Sequence, residues 1–271
     1  MPAGGLSLTE LLVAVALLST ATAGGLAAYT RAGSSRREAA ITQELHERAQ
    51  YVFATLEPEL QMAGYFGGSR RPAPLAPGDL PASATGCGEQ LVRRLDLPLQ
   101  AFRAWPLSCE PRGGGVIDGT DVLAIRRLSA RLAAAPERGR AQWLGSAAGT
   151  GEGSLHWWGD ADWTAGAASR GAELRDLIVR AYYVARGSDG NAAVPALRVK
   201  TLTSIAGTPA FIDTEVMQGV EDLQVEVLPD AAAPRAVRIR LRVRADTAAL
   251  WDGVPPTLEA TRQFHLRNAA D

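Results

Sequence analysis

The chain has 271 residues, 46% of them hydrophobic, which excludes a wholly disordered protein and allows a sizeable core. Its 28 lysines and arginines are balanced by 29 aspartates and glutamates, giving a formal net charge of −1. A chain without excess positive charge has no long-range field to recruit nucleic acid or an anionic surface.

The first thirty residues predict one transmembrane helix over residues 6–30. No Lys or Arg precedes Arg31, and the apolar run extends from Leu6 through Tyr29. At about 1.5 Å of rise per residue, a helix of this length crosses a bilayer core of roughly 30 Å. Glu10 is the exception, because an unpaired carboxylate in such a helix costs about 2.5 to 3.5 kcal/mol or more. The carboxylate therefore needs a partner.

Residues 5–10 (GLSLTE) resemble the processing signal of type IV prepilins, in which a Gly precedes the cut bond and a Glu is fifth in the mature chain. The resemblance implies that residues 1–5 are a leader, and that a prepilin peptidase cuts between Gly5 and Leu6 and methylates the new amine. It also implies that Glu10 neutralises the N-terminal ammonium of a neighbouring subunit within an apolar bundle. The chain departs from the family in having Leu6 instead of Phe and a leader without Lys or Arg.

Two alternatives remain for this segment. Ala21-Thr22-Ala23 before Gly24 fits the small-x-small site of an ordinary signal peptide, which would release an exported binding protein. The absent basic region and the position of Glu10 disfavour that pathway. The other alternative is a simple membrane anchor that does not polymerise.

An amphipathic helix is predicted to continue from the membrane over residues 31–64. Apolar residues recur at steps of three or four, while charged residues fill the other face. The apolar positions are Ile41, Leu45, Ala49, Val52, Leu56 and Leu60. Pro58 is expected to end or kink the helix near Glu57, and Gly64 is expected to close it.

The remainder, residues 65–271, is predicted to form a β-rich domain with long loops, so the expected fold class is α+β. Pro and Gly are frequent over residues 67–120, where little regular structure is expected. Five later segments have a composition typical of strands. They are residues 121–127, 174–186, 196–203, 220–228 and 237–244. A turn at residues 187–191 predicts that the second and third of these pair as an antiparallel hairpin.

The two cysteines, Cys87 and Cys109, have neither the spacing nor the nearby histidines of a zinc site. A disulfide between them is the preferred interpretation. In the chain-entropy model it would stabilise the fold by roughly 3 kcal/mol, provided that the compartment is oxidising. Two unrelated buried thiols are the alternative.

Arg238, Arg240, Arg242 and Arg244 alternate with apolar residues, so one face of a strand is predicted to carry four guanidinium groups. The main interpretation is a solvated face paired with acidic side chains of a neighbouring strand. The functional alternative is a docking stripe for a carboxylate-rich neighbouring subunit, because Arg forms planar bidentate hydrogen bonds. Nucleic-acid binding is disfavoured because no aromatic residues are interleaved.

No catalytic, metal or cofactor site is predicted, so the expected function is not enzymatic. The chain has no Gly-x-Ser-x-Gly nucleophile elbow, no P-loop and no dinucleotide-binding pattern, and its three histidines are scattered. A membrane-anchored enzyme with an unrecognised site remains the rival of this interpretation.

Five further segments resemble landmarks of the PilW family of minor pilins, in the order that the family has. They are residues 59–67, 119–123, 182–184, 219–225 and 266–268. The family often follows the first landmark with Cys, whereas this chain has Gly68. The resemblance implies a pilin-like fold, in which a long N-terminal helix packs on an antiparallel sheet domain.

The same resemblance implies a role near the pilus tip, where the protein helps to start polymerisation. Implied partners are the prepilin peptidase, other minor pilins, the major pilin and a PilY-type tip adhesin. The protein would lie in the inner membrane, with its domain in the periplasm, before it enters the fibre at the cell surface. A minor pseudopilin of type II secretion has the same plan and is the alternative.

Overall fold

The computed structural model describes residues 7–68, 72–75, 82–146, 153–157, 172–230, 232–245 and 254–268. Within these ranges the chain forms two helices and ten strands. The helices are α1 Leu8–Met62 and α2 Ala82–Arg93. The strands are β1 Leu99–Phe102, β2 Val122–Leu132, β3 Ala141–Ser146, β4 Ser154–Trp157, β5 Ala172–Ala185, β6 Ala196–Ile205, β7 Thr208–Gln218, β8 Val220–Leu228, β9 Ala236–Arg244 and β10 Thr257–His265. The expected α+β layout, with a long apolar N-terminal helix before an antiparallel sheet domain, is confirmed.

Helix α1 is continuous over 55 residues and contains both helices that the sequence predicts. Pro58 lies inside the helix, so of the two expectations for this proline, an end or a kink, the end near Glu57 is wrong. Leu56 and Leu60 flank the proline and are completely buried, so tertiary packing offsets the hydrogen bond that proline cannot donate. The chain leaves the helix at Gly64, whose φ is +76° and whose amide donates to the Arg126 carbonyl over 3.0 Å.

Seven strands form a large antiparallel sheet around the long strand β5. One edge of β5 pairs with β2, which in turn pairs with β1. The other edge pairs with β3 along its first half and with β6 along its second half, and β4 and β7 extend these two branches. The predicted hairpin across residues 187–191 is confirmed by the β5–β6 pairing, in which Ala185 faces Ala196.

The remaining three strands form a small antiparallel sheet in the order β10-β9-β8. Its inner face shares an apolar core with the second half of α1 and with one face of the large sheet. This core contains Leu45, Val52, Leu56 and Leu60 of the helix, Leu223, Ile239, Leu241 and Val243 of the small sheet, and Leu123, Ile125, Tyr182 and Val184 of the large sheet. The second half of α1 is therefore held from both sheets at once.

The opposite face of the large sheet has its own core beneath α2. Side chains of the helix and of the segment that follows it, Leu91, Val92 and Leu95, are completely buried there. The expectation of little regular structure over residues 67–120 is therefore wrong, since α2 and β1 both lie in that region. Burial of these three closely spaced apolar side chains stabilises a helix despite the surrounding prolines and glycines.

The buried guanidinium of Arg126 also holds this region in place. It donates hydrogen bonds to the carbonyls of Leu91 and of Leu97, the latter over 2.8 Å, near the carboxyl end of α2. A cation there is favoured by the carbonyl groups that a helix end leaves unpaired. Burial lowers the pKa of Arg126 to about 9, so the group stays charged at neutral pH.

The chain crosses from the large sheet to the small one at Gly219, between β7 and β8. Its φ of +77° is a left-handed conformation, and a Cβ atom there would overlap the guanidinium of Arg48. Arg48 passes over the glycine to donate to the Arg244 carbonyl over 3.0 Å. The crossing thus requires the absence of a side chain at residue 219.

Gly219→Ala should lower the free energy of unfolding by about 2 kcal/mol, because it adds left-handed strain and displaces Arg48. Gly190→Ala is the matched control, since a Cβ at that turn glycine meets nothing within 4 Å. Denaturant unfolding of the detergent-solubilised chain measures both variants. Equal losses would show that the crossing does not depend on Gly219.

Candidate assembly surfaces

The first half of α1 projects from the domain without contacts to cover it. Every residue from Ser7 to Ala32 is exposed, and the large apolar side chains from Leu8 to Tyr29 are 58–77% accessible. This part of the helix is long and apolar enough to span a membrane, and no other helix in the described part of the chain is. An apolar surface of this size requires lipid or other helices to cover it.

Glu10 lies in the first turn of this exposed segment. One of its carboxylate oxygens, Oε2, accepts a hydrogen bond from the Ser7 amide over 3.0 Å. The unpaired amides and positive dipole at a helix start favour a carboxylate at this position. Glu10 shares one helix face with Val13, Ala14 and Leu17, so the carboxylate borders an apolar surface. Gly5 and Leu6 lie outside the described residues, and their processing stays a prediction.

Gly24 and Gly25 lie on the same exposed segment. A Cβ atom on either residue would meet nothing within 4 Å, so the packing of the chain itself does not require a glycine there. Each costs the helix about 1 kcal/mol relative to Ala. Glycines in apolar helices allow a neighbouring helix to approach closely.

A buried ion-pair cluster joins α1 to the large sheet at Glu59, whose side chain is 8% exposed. Arg127 of β2 binds both carboxylate oxygens, over 2.8 and 3.1 Å. Arg180 of β5 binds the same carboxylate over 2.7 Å. This cluster was not predicted from the sequence. Glu59 stands three positions after Leu56 on the predicted apolar face, and that position signals a buried carboxylate.

Cys87 and Cys109 are bonded, so the predicted disulfide is confirmed. It joins α2 to the loop that follows β1. The Ser108 amide donates to the Cys87 carbonyl over 2.9 Å, which holds the same two segments together.

The disulfide-bonded loop docks on β5, β6 and β7 through a polar and aromatic network. Trp105 donates to the Cys109 carbonyl over 2.8 Å and packs edge to face on Tyr183. The Tyr183 hydroxyl donates to Asp213 over 2.6 Å. Burial and this carboxylate raise the pKa of Tyr183 well above its usual range. Burial alone would raise the pKa of Asp213, but the hydrogen bonds from Tyr183 and Arg198 outweigh it and lower that pKa.

The four arginines of β9 occupy the outer face of the small sheet, as their alternation predicts. Three of them form ion pairs with glutamates of β8. Arg238 binds Glu226 over 2.7 Å, and Arg242 and Arg244 both bind Glu221, over 3.3 and 3.7 Å. Arg240 has no ion pair with any described residue, which distinguishes it from the other three.

No protein-family model, curated protein or solved structure matches this chain. Residues 59–67 contact residues 266–268, and residues 119–123 contact residues 219–225. Asn268 donates to the Gln61 carbonyl at the end of α1 over 3.2 Å, and Asp121 accepts the Val225 amide over 2.8 Å. Tyr182 lies in the core that α1 shares with both sheets.

Glu59→Gln should lower the free energy of unfolding by about 3 to 5 kcal/mol, because it leaves two largely buried arginines without their carboxylate. Glu57→Gln is the control, since among the described residues Glu57 accepts only a hydrogen bond from Gln61 on the same helix. Its expected effect is within about 0.5 kcal/mol. Chemical denaturation distinguishes the two, and similar midpoints would contradict an anchoring role for Glu59.

Replacing both Cys87 and Cys109 with Ala should cost roughly 3 kcal/mol of stability, since the unfolded chain regains the entropy of the open loop. Ser108→Ala, at an exposed neighbouring position, should change stability by less than about 0.5 kcal/mol. Thermal unfolding with and without a reductant gives the comparison. Two reactive thiols on the unreduced protein would refute the bridge.

Proposed function

We propose that this chain is a minor pilin of a type IV pilus, a non-enzymatic subunit that helps to start polymerisation near the tip. The observation that carries the proposal is the single carboxylate of Glu10 at the start of a fully exposed apolar helix, within a sequence that resembles the prepilin signal. The protein would be made as a prepilin and cut between Gly5 and Leu6.

Cleavage would create an ammonium group four residues before Glu10 in each chain. In an apolar bundle, the Glu10 carboxylate of one subunit would pair with the terminal ammonium of its neighbour. The pair offsets a cost of about 2.5 to 3.5 kcal/mol for an isolated carboxylate in the membrane. Because the pair requires one vertical offset between neighbouring helices, it would also fix the register of assembly.

Helix packing would supply the rest of the association. Apolar side chains have little drive to associate within lipid, so close contact through small residues such as Ala14, Gly24 and Gly25 matters more. The absence of any contact at both glycines within the chain is consistent with this role. We call the exposed first half of α1, from Ser7 to Ala32, the stem. Glu59, bound by Arg127 and Arg180, would hold the helix that carries the stem in a fixed position on the domain.

The disulfide supports export of the domain, since such bonds persist in oxidising compartments. We place the domain in the periplasm and the stem in the inner membrane before assembly, and the subunit in the fibre afterwards. Its partners would be the prepilin peptidase, the major pilin, other minor pilins and a PilY-type tip adhesin.

Glu10→Ala tests the proposal against Glu38→Ala, which removes another exposed carboxylate from α1 but outside the predicted span. Both variants should be cut, with a methylated mature chain beginning at Leu6 by intact-mass analysis. Recovery of Glu10→Ala in sheared fibres should fall by on the order of tenfold or more, since the N-terminal ammonium of the neighbouring subunit is then left unpaired in the apolar bundle.

Several outcomes would refute the proposal. A mature chain beginning at Gly24 indicates an ordinary exported protein, and an uncut chain indicates a simple anchor. Equal recovery of both variants in the fibre contradicts the role of Glu10. Correct cleavage with recovery only in a type II secretion pseudopilus would assign the chain to that machine instead.

A further inference from the structure

An open groove of about 610 Å³ lies along the outer face of the small sheet and reaches the segment that follows β1. We call it the arginine groove. Its lining includes Arg103 after β1, Gln224 and Glu226 of β8, Arg238 and Arg240 of β9, and Thr261 of β10. These side chains come from four separate parts of the chain, so only the folded domain assembles them.

The strand register explains why Arg240 lacks an ion pair. On the neighbouring strands Arg240 faces Gln224 and Thr261, neither of which carries a charge. Arg242 instead faces Asp222 and Glu259, and Arg238 faces Glu226. Directly opposed residues are the closest partners across a sheet. Arg240, unlike Arg238 and Arg242, has no carboxylate directly opposite it on either neighbouring strand.

The carboxylates that line the groove are already engaged. Glu226 binds Arg238 over 2.7 Å. Asp121 is buried, and its Oδ2 accepts the Val225 amide over 2.8 Å. Neither Arg240 nor the exposed Arg103 forms an ion pair with a residue that the structure describes. Two guanidinium groups therefore border one groove without a counter-charge from the chain.

We propose that the arginine groove binds an acidic segment of a neighbouring protein subunit, with Arg240 and Arg103 as the contacting groups. Guanidinium groups bind carboxylates through paired, charge-assisted hydrogen bonds, and the exposed Thr261 hydroxyl adds a donor beside Arg240. The open, polar shape suits an extended chain better than an enclosed small molecule. That the partner is a filament subunit rests on the proposed function, whereas the binding chemistry does not.

Fluorescence anisotropy on the full chain in detergent tests the proposal with two labelled peptides. One carries four glutamates alternating with glycine, and the other carries glutamine at the same positions. The glutamate peptide should bind, and its binding should weaken as sodium chloride rises. Arg240→Gln and Arg103→Gln should each weaken it by about tenfold.

Arg131→Gln is the matched control, because Arg131 is an exposed arginine on β2 outside the groove. It should leave the peptide affinity within about twofold of the parent chain. Unchanged thermal unfolding is expected for all three variants, since none of these arginines forms an ion pair with the described residues. The assignment would be overturned if Arg240→Gln lost affinity only because it unfolds, while Arg103→Gln stayed folded and kept its affinity.

Further results would overturn the proposal. They are equal binding of the two peptides, equal weakening by Arg131→Gln, or displacement of the peptide by inorganic phosphate at the same concentration as the peptide carboxylates, which would indicate a small-anion site. Because the isolated chain is measured, failure here leaves the minor-pilin proposal intact. The minor-pilin proposal is tested separately, by the N-terminus of the mature chain and by the recovery of Glu10→Ala in fibres.

Discussion

The structure depends on how one 55-residue helix covers its apolar surface along two very different halves. The second half buries Leu45, Val52, Leu56 and Leu60 against two sheets, which supplies the main core of the domain. The first half buries nothing against the other described residues, and its large side chains remain exposed. Apolar burial is the dominant stabilising term in folding and association. Of the two halves of α1, only the second contributes such burial to the domain. The apolar surface of the first half is left uncovered by the described part of the chain.

Two glutamates on this helix, one in each half, differ in whether the fold supplies a counter-charge. Glu59 lies in an apolar surrounding, and the sheet provides Arg127 and Arg180 as its partners. Glu10 lies at the start of an apolar segment and accepts only the Ser7 amide, with no cation in contact among the described residues. A carboxylate that enters an apolar phase requires a cation in either case. For Glu59 the fold supplies it, and for Glu10 the described residues supply none.

The sequence predicted the features that repeat along the chain and missed those that depend on distant contacts. Continuous apolar periodicity predicted α1, and strands such as β9 were identified because alternation exposes one face and buries the other. Strands β7 and β10 were missed because each pairs along one edge only and buries few side chains. Burial does alternate along β10, but Phe264 is its only buried side chain. Helix α2 was missed because its stability comes from burial under the large sheet and from Arg126, residues that follow it in the chain. The partners of Glu59 could not be predicted either, because they lie at least 68 positions away in the sequence.

The arginines of this chain differ in where their counter-charges lie. Arg198 is completely buried and has three carboxylates within contact, Asp189, Asp213 and Glu215. Arg126 is equally buried and is held by carbonyl groups. Leaving either one unpaired would cost several kcal/mol, so the fold cannot tolerate it. At the surface, water removes that penalty, and an unpaired guanidinium such as Arg240 costs the fold little while staying available to bind. A partner that brings carboxylates into the arginine groove would therefore gain charge-assisted hydrogen bonds without first breaking an ion pair in the domain.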